Sequence, residues 1–237
     1  MSIEWKQTGL TGSKRRRTDN GVEQIDAEKL SGHMANAGGS IIDLLGMGHQ
    51  QTSLRVIDNT IYFCAEVNRA TILSLTTELK TMSNKLMDVA MKNNNKPADI
   101  YLNIRSFGGS VFDAFAAIDA ILNCPVDVIT VIDGYAASAG TMMSIVGKRR
   151  YMTKHSMMLV HQLSGGMWGK FSEMEDDMEN NKELMTIIKG LYIEFAEIPK
   201  KQLDKILTHD LWWNSETCLK YGLIDEIITP ETFKHMR

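Results

Sequence analysis

The stretch DGYAASAGT, from Asp133 to Thr141, sets one hydroxyl, Ser138, among Gly134, Ala136, Ala137, Ala139 and Gly140. Side chains this small let a backbone turn sharply and let a second chain or a substrate come close. A nucleophile at the mouth of a helix needs both, although the same composition also suits a tightly packed helix start with no chemistry. A serine hydroxyl becomes a nucleophile only when a base takes its proton and a third group orients that base. His161 is the leading candidate base: it closes the apolar run MMLV, and Gly165 and Gly166 soon after leave backbone open to a ligand. A single histidine at a strand end is more often structural, and His155 and His209 compete for the role. Asp133, Asp204, Asp210 and Asp225 are all available as the third group. Asp210, in THDLWWNS, precedes two aromatic residues able to shield a carboxylate from water, which gives it a modest edge.

Such residues need a scaffold to bring them together. From about Leu54 onward, strand-like and helix-like stretches alternate. TIYFCAEV (60–67) is β-branched and aromatic, and residues 70–92 carry apolar positions at helical spacing. ADIYLNIRS (98–106) is a strand ending at Gly108–Gly109, and SVFDAFAAIDAILN (110–123) is a helix stopped near Cys124–Pro125. VDVITVIDG, SAGTMMSIVG and HSMMLVHQ then read as strand, helix and strand. Alternation of this kind implies parallel strands with right-handed crossovers, an α/β fold whose site gathers at the carboxyl ends of strands. RSFGGS, GYAASAG and LVHQLSGG lie at such ends. Beyond them, Ser172 and Glu175 stand at capping-box spacing and predict a helix starting at Ser172. Its acidic first half suits the positive end of the helix dipole. Its apolar second half, with Ile187, Ile188, Leu191, Tyr192 and Phe195, needs a surface to cover it, the protein's own core or a neighbouring subunit. The clustered Met157, Met158, Met174, Met178 and Met185 read as adaptable packing.

The chain has 237 residues, 43% hydrophobic and 23% charged, enough for one sizeable core with an appendage. A formal charge of −3 disfavours a nucleic-acid partner. No apolar stretch is long enough for a membrane span, and the opening residues MSIEWKQTGL lack a secretory h-region. Cys64, Cys124 and Cys218 are far apart and odd in number, so they read as buried free thiols in a reducing compartment, the cytoplasm. Residues 1–53, with TGSKRRRTDNG and GHMANAGG, read as a flexible basic arm, SIIDLLG being a short helix that docks it. The basic run Lys14–Arg17 is read as a solvated tail ahead of a contact for an acidic partner.

GYAASAG, MMLVHQLSGG and THDLWWNSETCLKYGLIDEII resemble, in order, the three catalytic blocks of the ClpP family, the Clp protease proteolytic subunit. DIYLNIRSFGGSV resembles that family's strand and glycine turn, and the likeness runs from about Leu54 to Ile228. The resemblance implies an α/β, ClpP/crotonase-like fold of repeated β-β-α units with a protruding handle helix, over residues 54–237. It implies Ser138 as nucleophile, His161 as general base, Asp210 as the acid orienting it, and the backbone amides of Gly109 and Ala139 as oxyanion hole. Ser110, Val111, Ser164, Gly165 and Gly166 match the segments that flank substrate, between which a peptide adds as an extended strand. The implied assembly is a homo-oligomer of heptameric rings stacked as a tetradecamer, fed unfolded protein by a Clp-type AAA+ ATPase unfoldase. No cofactor, metal, nucleic acid or membrane enters this scheme. The first 53 residues would then be a propeptide, a pore gate or a docking tail.

Three positions depart from the family pattern. Phe107 and Leu163 stand where prolines are usual, and His209 replaces an arginine of the ring-to-ring contact. Were His209 at that contact, ring pairing would depend on pH near neutrality. Other functions compete. Acyl-coenzyme A hydratases of the crotonase fold rely on glutamates, and the signal-peptide peptidase relatives pair serine with lysine at a membrane. A non-catalytic ring subunit and a viral ClpP-like protease of capsid maturation also fit the divergent turns.

Overall fold

The computed structural model of the chain describes residues 54–235, so the expectations for the N-terminal arm lie outside the described residues. Strands β1 (Leu54–Ile57) and β2 (Thr60–Phe63) form an antiparallel pair. Then β3 (Ile100–Ser106), β4 (Val128–Ala137), β5 (Arg149–Thr153) and β8 (Glu226–Ile228) run parallel, in the sheet order β1-β2-β3-β4-β5-β8. Helices α1 (Arg69–Asn93), α2 (Val111–Leu122) and α3 (Ala139–Ile145) make the crossovers. Ile72, Leu75, Leu79 and Met82 recur at helical spacing along α1 and bury one stripe of it against the sheet, where Ile100, Leu102 and Ile104 of β3 are inaccessible. The Asn68 side chain starts α1 by accepting from the N–H groups of Ala70 and Thr71, each at 3.1 Å.

β4 is the strand on which the architecture turns. Its first half lies between β3 and β5, with Ile129 opposite Arg149 and Ile132 opposite Met152. Its second half leaves β5 and pairs with the short β6 (Met157–Leu159), from Tyr135 opposite Met157 to Ala137 opposite Leu159. At the change, Gly134 has φ +100° and the register with β3 slips between Ile104 and Ser106. Such a bulge bends a strand and re-aims the residues beyond it. β6 in turn pairs antiparallel with β7 (Trp212–Asn214), so a small second layer branches from the main sheet.

The long helix α4 (Phe171–Phe195) corrects one expectation. It begins before Ser172, and the Lys170 N–H donates to Glu173 Oε2 at 2.9 Å, so Glu173, not the Ser172–Glu175 pair, tidies its start. In its second half Ile188 and Tyr192 are buried and Leu191 and Phe195 pack on the core, while Ile187 stays exposed. The protein's own core therefore covers most of that stripe. Helices α5 (Lys200–Leu207), α6 (Ser215–Lys220) and α7 (Pro230–His235) follow. The cysteines are free but not uniformly buried: Cys218 is, Cys124 is half-buried and Cys64 is exposed. Cys64 lies just past β2, where the alternating pleat turns every second side chain outward.

Candidate active site

Strand register alone brings the leading candidates together. Ala137 is paired with Leu159, so Ser138, one residue on, and His161, two residues on, leave the sheet side by side. Leu159 is also paired with Trp212 in antiparallel sense, so counting outward sets His161 opposite Asp210. The His161 Nδ1 lies 3.6 Å from Asp210 Oδ1. The other three aspartates are engaged elsewhere: Asp133 with Arg105 at 2.8 Å, Asp204 with Lys189 at 2.6 Å, and Asp225 with Arg150. The flanking tryptophans do not shield the carboxylate, which is 79% exposed. Trp213 turns away to stack on Tyr221 and Trp212 leans edge-on to Phe107, as alternation along a strand requires. His161 is the sheltered member of the pair, at 17% exposure.

Ser138 occupies a backbone conformation that few side chains tolerate, with φ +53° and ψ −122°. It stands at the N-cap of α3, yet its hydroxyl caps nothing. Instead the Thr141 and Met142 N–H groups bond to the Ser138 carbonyl, at 3.0 and 3.2 Å. The Oγ is thereby left for the cavity. Gly108 meets this turn from β3: a Cβ there would lie 2.7 Å from Ser138 Cβ and 2.8 Å from the Ala137 carbonyl oxygen. Glycine is what allows the two turns to touch.

Two amides face the same space. Val67 bridges Gly109 in parallel sense, its N–H bonding to Gly108 O and its O receiving Ser110 N–H, both at 2.8 Å. That pairing spends the groups on either side of Gly109, so the Gly109 N–H points to the opposite edge. The Ala139 N–H is in the first turn of α3, where no intrahelical acceptor exists. Neither amide donates to a protein acceptor among the described residues. Both residues line a cavity of about 340 Å³ with Ser138, His161, Ser110 and Val111. Ser164 reaches the cavity, whereas Gly165 and Gly166 lie past it on exposed chain, where a Cβ would meet open space. The Ser110 hydroxyl accepts from Asp113 N–H at 3.3 Å and caps α2, while its backbone N–H and carbonyl are taken by Val67 O and Ala114 N–H. Met142, Ile188 and Tyr192 also line the cavity and were unannounced as site residues, because helical apolar positions read as core. His155 is exposed outside this cavity, and His209 lines a different one, of about 410 Å³, with Leu211, Trp213 and Tyr221.

Comparison with known families matches Clp protease over residues 58–231. The chain belongs to the Clp protease family. That membership makes it a serine-type peptide-bond hydrolase, and its mixed α/β sheet is the fold the sequence blocks implied. It is 35% identical over 141 residues to ATP-dependent Clp protease proteolytic subunit 2 of Thermobifida fusca (strain YX), covering 57% of this chain and 68% of that one. It is 34% identical over 139 residues to the proteolytic subunit of Porphyromonas gingivalis (strain ATCC BAA-308 / W83), covering 56% and 60%. With subunit 1 of Mycobacterium leprae (strain TN) the identity is 32% over 133 residues, covering 55% and 66%. The chain thus spans under two thirds of the second and third relatives' length.

Within this Clp family member, the substituted turn residues have physical partners. Phe107 stacks on Tyr135, ring centroids 4.1 Å apart, and so stiffens by contact a turn that a proline would stiffen by covalent geometry. Leu163 packs partly on the core, and its N–H points to Met185 Sδ at 3.2 Å. Among the described residues of this Clp protein, no helix is long and apolar enough to cross a membrane.

Proposed function

We propose that the chain hydrolyses peptide bonds through Ser138, His161 and Asp210. The observation that carries this reading is a serine held at φ +53° with an uncommitted hydroxyl, in one cavity with a histidine whose Nδ1 lies 3.6 Å from a carboxylate. With Nδ1 turned to Asp210, Nε2 is the nitrogen left to take the Ser138 proton. Oγ then attacks the substrate carbonyl. The oxygen, now negative, settles between the N–H groups of Gly109 and Ala139, where the α3 dipole adds its positive end. His161 returns the proton to the leaving amine, and water repeats the sequence on the acyl-serine. Catalytic hydrogen bonds tighten when substrate excludes water, and an exposed Asp210 gains most from that closure. Peptide lies extended between the backbone of Gly109–Val111 and that of Ser164–Gly166, held by main-chain bonds with weak regard for its sequence.

The relatives are named ATP-dependent Clp protease subunits. By the same likeness this chain works in the cytoplasm as rings of seven, stacked in pairs and supplied with unfolded polypeptide by a Clp-type AAA+ ATPase. Supporting self-association, Trp168 (98%), three residues ahead of α4, and Phe171 (73%), its first residue, are exposed. A fluorophosphonate probe is expected to label the wild type and not Ser138→Ala, and native mass spectrometry is expected to find multiples of seven. Equal labelling of both proteins would sink the triad.

A further inference from the structure

We propose that Arg105 and Ser156 are positioning residues for hydrolysis: together they clamp the Asp133–Gly134 peptide, and through it they hold Ser138 in register with His161. This rests on the triad reading above and adds what keeps its two halves aligned. β4 leaves β5 after the pair Ile132–Met152 and joins β6 at the pair Tyr135–Met157, so the peptide between Asp133 and Gly134 belongs to neither ladder. Nor does β3 match it. Between the pairs Ile104–Ile132 and Ser106–Ala136, β3 has only Arg105 where β4 has Asp133, Gly134 and Tyr135. Backbone that leaves its ladders needs other partners for its polar groups. Side chains supply both. The Asp133 carbonyl accepts from Arg105 Nε at 2.9 Å, and Arg105 Nη2 reaches Asp133 Oδ2 at 2.8 Å. The Gly134 N–H donates to Ser156 Oγ at 2.7 Å.

Ser156 is fully buried in the link between β5 and β6. Its hydroxyl also donates to Ile132 O at 3.2 Å and shares a hydrogen bond with the hydroxyl of Thr153, the last residue of β5. One oxygen thus joins the end of β5, the change of partner in β4, and the residue just before β6. Ser138 lies at the end of the β4 arm and His161 just past the β6 arm, so this junction is where the two arms start. Gly134 cannot hold its own φ of +100°, because glycine takes either sign of φ at little cost. The side chains choose for it. Arg105 lies directly on the strand there, its Nε 3.3 Å from where a Gly134 Cβ would be.

The test measures kcat and KM per active site, counted by fluorophosphonate labelling at saturation, on one unstructured peptide. Ser156→Ala is expected to lower kcat about 10²-fold, the usual effect of misplacing reacting groups by about 1 Å. KM is expected to stay within about threefold, since the peptide-binding backbone is untouched. Arg105→Met keeps the aliphatic stem at an exposed position, so it folds even where Ser156→Ala does not. It is expected to lower kcat about tenfold, as water at an exposed site replaces part of what the guanidinium gave. Because both residues hold one peptide, the double variant is expected to fall no more than about threefold below Ser156→Ala. Thr130→Val is the control: it removes a buried hydroxyl bond, to Ser144 O at 2.6 Å, from β4 ahead of the change of partner. It is expected to lose stability and keep kcat. Clamp variants that lose only thermal stability, with kcat per labelled site unchanged, overturn the proposal while leaving the triad intact. So does a Thr130→Val whose kcat falls as far as theirs. A wild type that the probe does not label overturns the triad, and the clamp's role with it.

Discussion

Two strand-to-helix turns meet in this molecule, and each puts a serine at the start of a helix. Ser110 follows β3 with φ −60° and ψ 125°, and its hydroxyl caps α2. Ser138 follows β4 with φ +53° and ψ −122°, and its hydroxyl caps nothing. The first is a serine used for stability in an ordinary conformation. The second sits in a backbone region that costs about 1–3 kcal/mol for a residue with a Cβ, and the surrounding contacts hold it there. Ser138 N–H bonds to Leu159 O at 3.1 Å, and Thr141 Oγ1 bonds to the same oxygen at 3.1 Å and to Ala136 O at 3.2 Å. The contrast teaches that a serine freed from capping, at a strained position, is worth more as a signal than serine content or glycine content.

The strongest way to break the comparison is to remove the two hydroxyls in turn. Ser138→Ala is expected to lower kcat for peptide hydrolysis by about 10⁴-fold or more, as loss of a triad nucleophile does. Next comes Gly109→Ala. Its Cβ would lie 2.2 Å from Val67 O, so the bridge must shift and carry the amide with it. A fall of about 10²–10³ in kcat is expected in steady-state kinetics, the usual effect of losing one oxyanion donor. Ser138→Gly separates strain from chemistry. It is expected to abolish hydrolysis and yet raise the thermal unfolding midpoint by a few degrees, because relief of about 1–3 kcal/mol exceeds the entropy glycine adds to the unfolded chain. An unchanged or lower midpoint would show that the Ser138 conformation is not strained. The smallest effect is that of Ser110→Ala, with about 1 kcal/mol of stability lost with the cap and kcat reduced no more than a few fold. A large kcat loss there would make the two serines alike after all.

The elements that the chain's pattern disclosed are those with a long, regular stripe. Residues of α1, β3 and α2 were readable because their apolar spacing holds over many residues, and burial follows it. β5, with Arg149 and Arg150 at its head, and β7 and β8, each three residues long, carry too little periodicity to be read. The site divides in the same manner. Small residues around Ser138 and a histidine closing an apolar strand were visible. The choice of Asp210 from four aspartates was not readable from spacing, and rested on the family blocks. Arg105, Arg150 and Lys189 claim the other three, and those pairs join residues that only folding makes neighbours.

Local chemistry along the chain determined where strands would stop, which turns had to be glycine-rich, and which hydroxyl stood at a helix entrance, because these depend on sterics between near neighbours. The tertiary structure decided the rest: that β4 changes partners at Gly134, and that β6 and β7 pair in the register setting His161 against Asp210. Register between distant strands is chosen by the packing of whole sheets. A chain read one residue at a time carries no record of it.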